Sequence, residues 1–255
     1  MKILAIGDMH GKVEALRRVG EDVGLWKPDL VVFCGDILAG PDEGEGGIPP
    51  GGGGAPEGGP SAAESSGRRG LFRLFMETIS GFQGEVRVVP GHTDFPYSLF
   101  LESMLSRRKR FPHVLPVHHN LSPAGRDFIL LGFGGFVHGG EIHDETSLVF
   151  PYWEVEYWLE TAKLFPQKTL LLTHVPPRAE RIDVVDKSHV GSSHLRALIE
   201  ELQPVYAFCG HAHCAQGMEE IGSTPVINPG ALVHGGYAIV NTRKETVRFD
   251  TVEVS

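Results

Sequence analysis

Asp8 with His10, Asp36, His92 with Asp94, His174, and His211 with His213 are the residues whose types and spacing could do chemistry. Each group closes an apolar run: KILAIGD, LVVFCGD, EVRVVPG, TLLLTH and YAFCGH. Such runs read as buried strands. In open α/β sheets, ligand sites form beyond the carboxyl ends of strands, so these side chains can converge on one edge. Asp8/His10 and His211/His213 are each two apart, and in extended backbone such residues point the same way. Glycines at 7, 11, 35, 91 and 210 let the chain turn sharply and approach an ion closely.

Each piece alone has a plain reading. Asp8 could cap the next helix, Asp36 could be a turn residue, His174 a satisfied core histidine, and GHAH a surface turn. Together, Asp8, Asp36, His10, His174, His211 and His213 offer two carboxylates and four imidazoles. One tetrahedral ion needs only four ligands. The set suits two cations sharing a bridging carboxylate, and cations about 3.5–4 Å apart are a recurring device for phosphate-ester hydrolysis.

The elements that must position these residues alternate. Helical spacing marks KVEALRRVGEDVG, LFRLFMETI, FPYSLFLESMLSRR and SSHLRALIEEL, while FILLGFGG adds a further strand. The stretch from Ser223 onward reads as strands joined by turns. The pattern predicts layered sheets with helices outside. Residues 40–70 are rich in Gly, Pro, Ser and Glu and read as a flexible surface insertion in one domain spanning 1–255. The hydrophobic fraction of 41% allows a substantial core, and the net charge of −9 disfavours nucleic acid as a partner. The N-terminal run is too short for a signal peptide, and no apolar stretch is long enough to span a membrane. Cys34, Cys209 and Cys214 lack CxxC spacing, and the first two read as buried free thiols. A reducing cytoplasm is the expected compartment.

In their order, GDMH (7–10), GDI (35–37), PGHTD (90–94), THVPP (173–177) and GHAH (210–213) resemble the motifs of the calcineurin-like metallophosphoesterases, small bacterial and archaeal members especially. VINPG (226–230) resembles the strand and turn that follow the last motif. The resemblance implies an α/β fold, a four-layer αββα sandwich of two mixed sheets flanked by helices, with metals at the sheet edge. It implies one metal on Asp8, His10, Asp36 and His213. The other would take Asp36, His174, His211 and a ligand from the third motif, with Asp36 bridging.

The third motif departs from the family's Gly-Asn-His-Asp, and two registers are open. In one, His92 stands at the Asn and is a ligand, Thr93 replaces the catalytic His, and Asp94 matches the Asp. In the other, His92 is itself the catalytic His, and the second metal is one ligand short. The first keeps the match to Asp94 and is preferred. Three histidines and a carboxylate then favour Zn, Fe, Co or Mn. The candidate catalytic residues are Asp36, His92 and Asp94. The expected activity is hydrolysis of a small phosphomonoester or phosphodiester by a hydroxide bridging two divalent transition-metal cations. A non-catalytic scaffold of the same fold and a nuclease are the alternatives.

Other histidines are weaker candidates. His143, His189 and His194 fall in loop-like or helix-start stretches, and His118 and His119 read as exposed turn residues. In SHVGSSHLRALIEE the helix start could bind phosphate, but a Ser N-cap is the simpler reading. Arg107–Arg110 reads as a solvated helix end. FPYWEVEYWLE reads as a core helix or lid, and GFGGFVHGG lacks the context of a cofactor loop.

Overall fold

Leu30–Phe33 is apolar at every position because both faces of that strand are covered. Its residues alternate between two cores: Val31 and Phe33 face one, Leu30 and Val32 the other. The first strand does the same with Leu4 and Ile6 against Ile3 and Ala5.

The computed structural model describes residues 1–24, 26–38, 62–138, 148–165 and 168–254. The first part comprises β1 (Lys2–Ile6), α1 (Val13–Val23), β2 (Leu30–Phe33), α2 (Ala62–Ile79), β3 (Glu85–Val88) and α3 (Tyr97–Leu105). Next come β4 (Val114–Pro116), β5 (Asn120–Ala124), β6 (Phe128–Phe133), β7 (Phe136–His138) and β8 (Val149–Pro151), then α4 (Tyr152–Lys163) and β9 (Lys168–Thr173). After them come β10 (Val184–Val185), β11 (Ser188–His189), α5 (Ser193–Leu202), β12 (Tyr206–Phe208), β13 (Gly217–Ile221) and β14 (Thr224–Asn228). A 3-10 turn at Leu232–His234 leads into β15 (Gly236–Asn241) and β16 (Thr246–Thr251).

One six-stranded sheet has the order β16-β15-β1-β2-β3-β4, the other β13-β14-β12-β9-β6-β5. In the first, β1 to β4 are mutually parallel and β15 and β16 are antiparallel additions. In the second, β6, β9, β12 and β14 are parallel, with β5 and β13 antiparallel at the edges. Ile3, Val32, Leu130, Leu172 and Phe208 pack between the sheets. α1, α2 and α3 cover the outer face of one sheet through Leu16, Phe75 and Phe100. α4 and α5 cover the other through Leu159 and Leu198. This is the expected αββα sandwich of mixed sheets. No helix among the described residues is long and apolar enough to cross a membrane. Cys34 and Cys209 are buried free thiols, as expected, and Cys214 is exposed.

Two readings change. The low-complexity stretch expected to be flexible over 40–70 gives way to helix at Ala62. Phe72, Phe75, Met76 and Ile79 are fully buried, and that packing carries the helix back through Ser, Glu and Arg residues with no apolar pattern of their own. The rest of the stretch lies outside the described residues. His118 is not an exposed turn residue: it is buried, its ring stacks on His119 at 4.1 Å, and its Nδ1 accepts from Gly134 N.

The Phe75 ring meets Phe33 edge-on at 4.9 Å. Phe75→Ala therefore opens a cavity under α2 and should cost about 3–5 kcal/mol in urea unfolding. A cost near zero would place α2 outside the core.

Candidate metal centre

Because β1, β2 and β3 are parallel, their C-terminal ends share an edge. Just past them stand Asp8 and His10, Asp36, and His92. Parallel β9 and β12 do the same for His174 and for His211 with His213. The two edges meet. His211 N–H donates to both oxygens of Asp8 at 3.1 Å, and His174 Nδ1–H donates to Cys34 O at 2.8 Å. Asp8 is therefore not a helix cap; Lys12 occupies the N-cap position of α1.

The ligand atoms gather into two sets, each with all atoms within 4.8 Å of one another: Asp8, His10, Asp36 and His213, and His92, His174 and His211. His10 Nε2 lies 3.1 Å from His213 Nε2, and His92 Nδ1 lies 3.0 Å from His174 Nε2. Asp36 Oδ2 touches both sets, at 3.6 Å from His10 Nε2, 3.0 Å from His92 Nδ1 and 3.6 Å from His174 Nε2.

The backbone here is strained. Asp8 (φ 23°), His10 (42°), Asp36 (54°) and His211 (64°) are left-handed although none is glycine. Each such residue costs on the order of 1–3 kcal/mol unless its surroundings enforce it, and such strain clusters at functional sites. Close approach adds to this. A Cβ at Gly91 would lie 2.0 Å from Asp36 Oδ1, and one at Gly210 would lie 2.5 Å from Asp8 Oδ2.

A cation fits these groups. Asp36 Oδ2 and His211 Nδ1 are buried and make no hydrogen bond. Buried polar atoms of this kind are costly unless something satisfies them. Burial alone would raise the Asp36 carboxyl, but the imidazoles of His92, His174 and His10 hold it well below the usual carboxylate range. Burial lowers His174, and burial with the neighbouring His174 and His92 rings lowers His211 well below the ordinary value. Both rings are thus neutral at pH 7, the form that binds metal.

The third motif divides its labour. His92 turns toward His174 and His211. Thr93 is 1% exposed, its N–H donates to Asp36 Oδ1 at 2.9 Å, and its hydroxyl lies 3.0 Å from the same oxygen and 2.8 Å from Leu38 O. Asp94, expected among the catalytic carboxylates, lies outside both ligand sets. It is fully buried and accepts the N–H groups of Ile37, Leu38 and Gly91 at 2.8–2.9 Å. Burial and the nearby Asp36 charge push it up to about 7 against those bonds. Its geometry is that of a positioning residue that ties the Asp36 loop to the His92 loop.

Asn228 carries no role in the sequence reading. Its Nδ2 donates to Ala212 O at 2.9 Å and Ile182 O at 3.2 Å, and its Oδ1 accepts Gly230 N at 2.9 Å. It pins the loop between His211 and His213. A polar residue closing an apolar strand before Pro-Gly was the available signal. Phe136 packs on His92 at 5.1 Å and His211 at 5.2 Å, with no signal in sequence. Elsewhere, Ser192 is the N-cap of α5, its hydroxyl accepting Leu195 N at 3.3 Å. His143 lies outside the described residues.

A family model described as metallophosphoesterase, calcineurin superfamily, matches residues 1–252. The chain belongs to this family. A relative from Methanocaldococcus jannaschii, the uncharacterized protein MJ1162, is 26% identical to this metallophosphoesterase across 98% of this chain and 96% of its own. The crystal structure of TT1561 of Thermus thermophilus superposes with a TM-score of 0.76 at 21% identity, covering 99% of both chains. A dimetal phosphatase from Danio rerio does so at 0.60 and 13% identity, covering 94% of this metallophosphoesterase and 91% of its own chain. These similarities concern the fold.

Two outcomes follow from the geometry. Asn228→Ala leaves the Ile182 carbonyl and the Gly230 N–H without partners and removes one of two hydrogen bonds to Ala212 O, and should lower metal affinity about 10–100-fold by isothermal titration; unchanged affinity would contradict the pinning role. In metal-free protein, His118, His174 and His211 are lowered by burial. The unfolded chain then takes up more protons than the folded one as pH falls below about 6.5, so stability is full above that value and lost below it. Asp94 opposes them by one proton. Chelator-treated protein should lose up to about 2–3 kcal/mol per pH unit between pH 6.5 and 5 in urea unfolding. A flat or rising profile toward acid would contradict the assignment.

Proposed function

We propose that this metallophosphoesterase is a binuclear metal-dependent hydrolase of a small phosphomonoester or phosphodiester. The observation that carries the reading is Asp36 Oδ2, a buried carboxylate oxygen without a hydrogen bond that faces imidazoles of both ligand sets. Asp8, His10, Asp36 and His213 would hold one cation, and Asp36, His92, His174 and His211 the other. Three imidazoles and a carboxylate favour Zn, Fe, Co or Mn over Mg or Ca. Divalent cations held there supply Lewis acidity toward phosphoryl oxygens and make water acidic enough to ionise near neutral pH.

The chain's own residues do the rest. Asp36 spans the two sets, Asp8 is held for its set by the His211 N–H, and His174 is fixed in one tautomer by Cys34 O. Asp94 locks the Asp36 and His92 loops together. Phe136 shields the imidazoles of His92 and His211 from water on one side. An acidic chain of net charge −9 suits a small substrate better than a nucleic acid.

Wild-type protein equilibrated with Mn²⁺ should hold two ions per chain by elemental analysis and hydrolyse p-nitrophenyl phosphate or its bis ester. Asp36→Asn should hold fewer than two and lower kcat at least about 100-fold. Unchanged metal content with unchanged turnover would sink the mechanism.

A further inference from the structure

A hydrolase working on an ester with a basic leaving group needs a proton donor, and the third motif provides none. Thr93 is sealed against Asp36 and Leu38 and cannot reach a substrate. The imidazoles of both ligand sets are committed to metal in the reading above. His118 is buried against Gly134, and His119 pairs with Glu154 among aromatic rings.

Among the described residues, one other imidazole is oriented by a carboxylate. Asp183, fully buried, accepts His189 Nδ1–H at 2.9 Å through one oxygen and Gly191 N–H at 3.3 Å through the other. This fixes the ring, directs its proton-bearing Nδ1 inward, and leaves Nε2 as its outer nitrogen. The His189 side chain is 32% exposed while Asp183 is 0% exposed. A buried carboxylate behind an accessible imidazole is the arrangement that orients a proton-transfer histidine and compensates its charge when it is doubly protonated.

The mounting is rigid and is tied to loops that carry ligand histidines. His189 lies on the β10–β11 hairpin, in fixed register with Val184, and the tip residues Asp186 and Lys187 are both left-handed, as a tight two-residue hairpin turn requires. The residue before Asp183 is tied to the His211–His213 loop, since one Asn228 amide bonds both Ile182 O and Ala212 O. On the other side, Pro177, three residues past His174, forms a bridge with Ser192, and a Cβ on Gly191 would lie 2.4 Å from Pro177 O. The segments flanking the dyad are thus tethered to the loops that follow β9 and β12, both of which carry ligand histidines.

We propose that His189, oriented by Asp183, is the general acid of the reaction, in place of the imidazole that Thr93 displaces. The inference rests on the hydrolase reading. In the step, a water oxygen forms a new bond to phosphorus and releases its proton to solvent. The bond from phosphorus to the ester oxygen breaks, and its electron pair stays on that oxygen. The oxygen takes the proton from His189 Nε2, leaving neutral imidazole that solvent reprotonates. The products are an alcohol and phosphate, or a phosphomonoester from a diester.

The test uses the full chain loaded with Mn²⁺ and two probes, p-nitrophenyl phosphate with an acidic leaving group and phenyl phosphate with a more basic one. His189→Gln should lower kcat for phenyl phosphate about 100-fold and for p-nitrophenyl phosphate by less than about 5-fold, with KM and bound metal unchanged. Asp183→Asn should show the same selectivity. A downfield proton resonance of the hydrogen-bonded His189 Nδ1–H should be present in the metal-free wild type and absent in His189→Gln, whose exposed side chain leaves the fold intact. Equal loss on both esters, loss confined to KM, or no loss overturns the proposal. So does the same selectivity in His234→Gln, whose exposed ring lies 6.0 Å from His213. A wild type that turns over neither ester overturns the hydrolase reading, and this assignment with it.

Discussion

The centre is organised around one desolvated charge. Asp36 is completely buried, one of its oxygens is held by Thr93, and the other has no hydrogen bond. An ionised carboxylate in such a place is unfavourable unless positive charge or polar hydrogens surround it. Here imidazoles face it from His10, His92 and His174. The left-handed backbones, the side-chain-free positions at 91 and 210, and the inward turn of three histidines follow from bringing that oxygen within reach of both sheets.

Rigidity behind the ligands comes from groups that never face the site. Asp94 gathers three backbone N–H groups, Asn228 bridges two loops, and the Cys34 carbonyl sets the His174 tautomer. Partners of this kind fix ligand orientation as firmly as the ligands fix a metal. They also place the strain of the ligand backbones where packing can sustain it.

Much of this was legible in the chain. Runs of Val, Ile and Leu ending in Gly-Asp or Thr-His marked strands buried on both faces, and their polar endings marked the shared edge. The alternation of those runs with amphipathic segments pointed to layered sheets with helices outside, and the four layers came from the resemblance of the motifs to the family. What escaped was set by tertiary context. The start of α2 carries no apolar pattern and is helical because Phe72 and Phe75 downstream are anchored. His118 looked like a turn residue because burial of a polar ring depends on Gly134 arriving from the link between β6 and β7. Asp94 matched a motif by type, yet its carboxylate is spent on N–H groups, and no spacing rule distinguishes such a group from a catalytic one.

The pairing of β1 with β15 sets Lys2 opposite Asn241. The strand that leads to Asp8 therefore lacks one neighbour until residue 241 has been made. Each ligand set likewise joins distant parts of the sequence, Asp8, His10 and Asp36 with His213, and His92 with His174 and His211. Such closure is non-local and comes late in folding. An emerging chain carries Asp8, His10 and Asp36 early, but both ligand sets are complete only once His211 and His213 have been made, so the full capacity to hold metal arises together with the completed sandwich.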